Sequence, residues 1–309
     1  MIHGRGRLCP VPKGELHYQR RTVRPPYWPD ERQWGILGHM SSPRVVFNAS
    51  EGASARALTF PTLERPPILE AVLDIRFRAR TELEVGELFA LREVLSETFP
   101  TSEEMKQMGA KILFERTGAR TETEEPRQIG VLFKSKDEKL IFQARVDGIT
   151  LSRLAPYRSF DELEPLLRSC WGAYVRAARP EAATRIAVRY INRFEVPIDT
   201  NLTDWLTRPP QPAVPWVRMG SFVHRDLWRA EDEEYAVGLV TALEPGLNGR
   251  SSQLIVDIDA FSEVRPISIS ADDPEASLPM VRERFSALRS IKNHFFFSLL
   301  TPKCIQTFQ

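Results

Sequence analysis

Leu140-Ile141-Phe142-Gln143-Ala144-Arg145-Val146-Asp147-Gly148-Ile149-Thr150-Leu151 is the stretch that decides the architecture. Leu140, Phe142, Ala144 and Val146 recur at a period of two, the mark of a strand with one buried face. Ile149 and Leu151 resume that pattern after Asp147-Gly148. Asp-Gly between two such runs reads as a hairpin turn, because glycine accepts the positive φ that tight turns demand. Strands joined this closely are antiparallel, since a parallel pair needs a long crossover connection.

Further strands flank this hairpin. Upstream, Ile129, Val131 and Phe133 mark one strand, with Lys136-Asp137-Glu138 as its turn, and Ile112 and Phe114 mark another. Ala71, Leu73, Ile75 and Phe77 alternate with Val72, Asp74 and Arg76 in an entry strand. Leu88, Leu91, Leu95 and Phe99 share one helical face, stopped by Pro100. Downstream, a second helix is predicted over 160–178, with Ser159 as cap and Glu162 completing a capping box. Its stripe is Leu163, Leu166, Leu167, Cys170, Trp171 and Tyr174. Strands follow at 185–191, around Phe222, at 235–243 and at 254–258. A last helix is expected over 278–299, with Val281, Phe285, Leu288, Ile291 and Phe295 on one stripe.

The fold class is therefore α+β: two related halves with antiparallel sheets backed by long helices. The expected units are a flexible Pro/Arg-rich N-terminal arm over 1–57, a first half over 58–200 and a second half over 201–309 packed on the first. Pro10, Pro12, Pro25, Pro26, Pro29 and Pro43 interrupt regular structure in the arm.

The 309 residues carry a net charge of +1, which argues against a surface built wholly for nucleic acid. Residues 1–60 are locally basic, with nine Lys or Arg against four Asp or Glu. Cys9, Cys170 and Cys304 are odd in number and have neither zinc spacing nor a disulfide pattern. The opening residues lack an apolar signal-type run, and no stretch reaches bilayer length. A cytoplasmic protein with no membrane contact is the expectation.

The chain contains neither a phosphate-binding Gly-x-x-x-x-Gly-Lys-Ser/Thr nor a strand-borne Gly-x-Gly-x-x-Gly. Ser221, His224 and Asp226 lie close together without a nucleophile elbow, and His224 reads as a surface or partner-contact residue. Asp257 and Asp259 share a strand face, as two carboxylates of a phosphodiester-processing site would, but no third acid stands in motif spacing. Arg185, Arg189 and Arg193 recur at four-residue steps on one strand face, while Tyr190 and Asn192 point to the other. The arginines can grip phosphate or pair internally with residues such as Asp74, Glu195 and Asp199. The candidate ligand or partner contacts are thus Arg185, Arg189, Tyr190, Asn192, Arg193 and His224. Neither a catalytic set, a metal site nor a cofactor is expected.

Several stretches together resemble a sporadically distributed family of uncharacterised prokaryotic proteins. They are Pro66-Pro67-Ile68-Leu69-Glu70-Ala71-Val72, Thr98-Phe99-Pro100, Asp147-Gly148-Ile149-Thr150-Leu151 with Tyr157, Arg185 to Arg193, and the ending with His294, Phe295 and Thr301. The resemblance spans residues 63–303 and brings no catalytic residues. It implies a regulatory partner of a defence or toxin-linked module. The leading expectation is a non-enzymatic interaction or regulatory protein with a protein partner, a homodimer being one form of it. The alternatives are a metal-dependent phosphodiester or nucleotide-processing enzyme and a nucleic-acid-binding protein.

Overall fold

Ten strands join into one antiparallel sheet in the computed structural model. It describes residues 60–108, 110–115, 118–123, 125–212, 214, 217, 219–231, 233–246 and 249–309, with backbone alone over 110–123. The arm expected over 1–57 lies outside the described residues. Thr59–Gln309 is one compact unit.

The sheet grows from its centre. β1 (Ile68–Arg78) pairs on one side with β7 (Gly148–Leu154) and on the other with β8 (Ala182–Pro197). Beyond β7 lie β6 (Leu140–Arg145), β5 (Arg127–Lys134) and β2 (Thr101–Gln107). Beyond β8 lie β11 (Ser251–Ser262), β10 (Ala236–Pro245) and β9 (Phe222–Arg229). β12 (Ile267–Ser268) pairs with the start of β8. β3 (Ala110–Glu115) and β4 (Gly118–Thr123) form a separate ribbon.

The hairpin read from Leu140–Leu151 is present, but its turn is not where the Asp-Gly pair put it. Arg145 pairs with Gly148, so the two-residue loop is Val146-Asp147 and Gly148 opens β7. Its φ is not positive. Glycine is required there for space, since a Cβ would lie 2.6 Å from the Ile75 carbonyl oxygen of β1.

Two helices cover one face of the sheet. α2 (Leu163–Ala178) buries Leu167, Trp171 and Tyr174, each contributing about 1.5–3 kcal/mol through burial. Trp171 Nε1 donates to the Pro274 carbonyl at 2.8 Å, and the Tyr174 hydroxyl donates to the Arg145 carbonyl at 2.7 Å. Those bonds satisfy the polar ends of two large core rings. α3 (Leu278–Leu299) lies over β8 and β11, with Val281, Phe285 and Leu288 buried. The core between layers holds Leu73, Ile75, Val188 and Ile258.

Some local expectations change. The segment with Leu88, Leu91, Leu95 and Phe99 buries all four, yet it is a 3-10 turn over Val85–Ala90 followed by the four-residue α1 (Leu91–Val94). Burial spacing alone does not fix helix length. Ser159 makes no side-chain cap bond; a 3-10 turn over Phe160–Glu162 precedes α2. The chain closes with α4 (Pro302–Gln306), capped by Thr301. No helix among the described residues is long and apolar enough to cross a membrane.

Candidate functional site

Strand alternation sorts the chemistry-bearing residues onto two faces. The face away from the helices carries Asp74 of β1, Arg145 of β6, Thr150 of β7, Arg185 and Arg189 of β8, and Asp257 and Asp259 of β11. Asp74 is the hub. It accepts from Thr150 Oγ1 at 2.6 Å, Arg145 at 3.1 Å, Arg76 at 3.2 Å and Arg185 at 3.4 Å. Burial alone would raise the Asp74 pKa, but the guanidinium groups of Arg145, Arg76 and Arg185 and the Thr150 hydroxyl hold it below the usual carboxylate value.

Arg185 also donates to Asp259 at 2.8 Å, and Arg189 clamps Asp257 through bonds of 2.8 and 2.6 Å. Burial lifts the Asp259 pKa beyond what Arg185 and Arg189 offset, with Asp74 and Asp257 repelling it further. Burial would lower that of Arg189, but bonding to Asp257 raises it overall. The two late aspartates therefore serve as counter-ions to the two central arginines. Two-pronged pairs of this kind fix side-chain geometry as well as charge.

The other predicted residues are separated from that network. Arg193 shares its face but is exposed. Tyr190 and Asn192 point into the helix-covered core. Asn192 Nδ2 donates to the Val256 carbonyl at 2.9 Å, beside a register shift between β1 and β8. His224 lies on β9, three strands out from β8, with Nε2 3.4 Å from Asp226 Oδ1. His294 is on α3, across the sheet from Asp257 and Asp259. Among the described residues no three His, Cys, Asp or Glu side chains gather as a metal site would.

A second cluster was not foreseen. On the helix face, the hydroxyls of Tyr157 and Tyr190 meet at 2.6 Å, with their rings edge to face. Lys292 of α3, 8% exposed, sets its ammonium 3.8 Å from the Tyr190 ring centre. Burial, with the Arg289 charge adding to it, brings the Lys292 pKa down to about 7. Burial also raises those of Tyr157 and Tyr190. The buried stripe of α3 runs Val281, Phe285, Leu288, Lys292 and Phe296, with the expected Ile291 and Phe295 half-buried against the core beside it, so Lys292 is the unexpected member. That helical spacing was the signal in the sequence, masked because lysine reads as a surface residue.

Beside this cluster a cleft of about 480 Å³ runs between α2 and α3. At the far end of the sheet, β9 is the terminal strand and, among the described residues, pairs only with β10. Its Val223 and Leu227 are 75% and 58% exposed. Neither a family model nor a curated protein matches the chain.

Proposed function

We propose that the chain is a non-enzymatic interaction module whose protein contact is the outer edge of β9. The observation carrying this reading is that a terminal strand exposes Val223 and Leu227 beside an edge with no pairing strand among the described residues. Such edges recruit extended segments by backbone hydrogen bonding, while side chains at alternate positions select the partner. Val223, Arg225, Leu227 and Arg229 share one face of β9. The complementary partner is an extended strand with apolar residues at alternate positions to meet Val223 and Leu227. His224 and Arg193 are kept as further contact residues.

The finer readings belong to the same proposal: a cytoplasmic regulatory protein, the partner of a defence or toxin-linked module, within the family resembled above. Three of the resembling stretches fall on β1, β7 and β8, which are adjacent at the sheet centre. The two related halves draw support from the strand order. A central strand (β1 or β8) is in each case followed by a meander whose last strand (β7 or β11) returns beside it, and then by a helix, α2 or α3, which puts the division before β8 and not at 200/201 as expected from the sequence. The phosphodiester-processing alternative would have to release Asp257 and Asp259 from their arginines. The nucleic-acid alternative would have to release Arg185 and Arg189 from the same bonds.

A photo-crosslinker placed at Val223 in the native cell tests the contact. The expected adduct maps to one extended apolar segment and disappears with Leu227→Lys. Adducts that map to unrelated surfaces, or that survive Leu227→Lys unchanged, defeat the reading.

A further inference from the structure

The hydrogen-bonding edge of β9 can be read from its hairpin with β10. The Ala230 N–H donates to the Tyr235 carbonyl at 2.9 Å, so that residue pair is of the bonded kind. Antiparallel pairs alternate between bonded and unbonded. Arg229 pairs with Ala236 and Phe222 with Leu243 in one unbroken register. The main-chain groups of Phe222, His224, Asp226 and Trp228 therefore turn to β10, and those of Val223, Arg225, Leu227 and Arg229 turn outward. Among the described residues no strand meets the outward set. The opposite terminal strand, β2, is blunted by exposed Glu103, Glu104 and Lys106, whereas β9 exposes Val223 and Leu227.

Two identical strands that pair antiparallel about a twofold axis have that axis normal to the sheet, so one residue must face its own copy. An axis at Arg225 sets Val223 opposite Leu227 of the second copy on one face. On the other face it sets His224 opposite Asp226, and Phe222 opposite Trp228. His224 and Asp226 already approach to 3.4 Å along the strand, on the face where the cross-strand pair would form. A neutral or a protonated imidazole can donate to that carboxylate. Moving the axis to His224 sets Val223 opposite Arg225. Moving it to Asp226 sets two carboxylates against each other and Leu227 against Arg225. The Arg225 register matches apolar with apolar and donor with acceptor at every flanking pair. Its cost is Arg225 opposite its own copy.

We propose that the occupant of the β9 edge is a second copy of this chain, in a symmetric pairing centred on Arg225 that joins two ten-stranded sheets into one. The inference rests on the β9 contact and names its partner. β9 is its own complement, because Val223 and Leu227 stand at the alternate apolar positions that such an edge selects. The axis normal to the sheet keeps the helices of both copies on the same side.

Sedimentation equilibrium on the purified full chain tests it, and a dimer is expected. Leu227→Lys should weaken the dimer about tenfold or more, since it removes both Val223–Leu227 pairs. His224→Asp should weaken it several-fold by setting carboxylates opposite each other. Adding Asp226→His should restore the wild-type affinity, because the exchange rebuilds both cross-strand pairs in the Arg225 register. None of these side chains is buried, so the variants keep the fold, which circular dichroism checks. A dimer that ignores Leu227→Lys and His224→Asp, or a double exchange that fails to recover, overturns the proposal. A monomer at every concentration overturns it as well, and the adduct from Val223 in the cell then separates the two readings. An adduct on one strand of another protein keeps the edge contact and refutes self-pairing alone; adducts scattered over unrelated surfaces refute both.

Discussion

Arg189 faces Asp259 directly across the β8–β11 pairing, yet its guanidinium clamps Asp257, two residues along that strand. Asp259 goes instead to Arg185. Each arginine reaches diagonally along the ladder, a distance long side chains cover on a pleated sheet. One consequence is that the two pairs interlock. Removing only Arg189 leaves Asp257 buried without its partner, which typically costs about 3–5 kcal/mol. Replacing both residues with apolar ones of similar volume removes the orphaned charge. Arg189→Met should therefore destabilise more than the double variant Arg189→Met/Asp257→Leu, as measured by urea unfolding at pH 7. Equal losses would mean that the pair is solvated and carries no coupling.

Asp74 and Asp259 make opposite contributions as pH changes. The folded-state pKa of Asp74 is lowered, so its stabilisation is present above the unfolded value and is lost as pH falls through the folded one. That of Asp259 is raised, so its ionised form is a burden that protonation relieves as pH falls. Asp74→Asn should be the more damaging substitution at neutral pH, by about 3 kcal/mol or more, because it leaves Arg145, Arg76 and Arg185 without their common anion. The gap between the two Asn variants should narrow on moving from pH 7 to pH 3. Urea midpoints at the two pH values check this; an unchanged gap contradicts it.

The period-two strands were legible because burial on one face leaves its imprint locally, as in Ala71 to Phe77. The last helix was legible end to end because its apolar positions persist over 22 residues. The arginine–aspartate network was not, because Arg189 and Asp257 are separated by 68 residues and only the β8–β11 register joins them. Gly148 carries a turn signal in the sequence, whereas its role depends on the nearness of Ile75 in another strand. Lys292 has core spacing in the sequence but a surface residue type, and the type masks the spacing.

The buried thiols yield a direct prediction. Burial pushes the Cys170 and Cys304 pKa values up to about 12, so very little reactive thiolate exists at neutral pH. In a Cys9→Ser variant the native chain should resist a thiol reagent at pH 7.5, and both thiols should react at once after denaturation. Rapid labelling of native Cys170 would mean that α2 separates from the sheet on the timescale of the reagent.

Lys292 sets the last expectation, on the alkaline side. Its folded pKa of about 7 lies below the ordinary 10.5, so the folded chain holds fewer protons than the unfolded chain between those values. Stability then rises with pH across that window, and the penalty for burying the charge is present in full below it. Such a drop corresponds to about 5 kcal/mol. The groups acting beside it are Arg289 on its own helix and the Tyr190 ring on β8, whose hydroxyl bonds Tyr157. The tyrosines stay neutral through the window because their own pKa values are raised. Lys292→Met should consequently raise stability at pH 6 and flatten the rise between pH 7 and pH 10. Urea unfolding of wild type and variant across that range measures both effects. A wild-type curve that is flat there, or a variant that loses stability at pH 6, would mean that the ammonium is already compensated by solvent or by a bound anion.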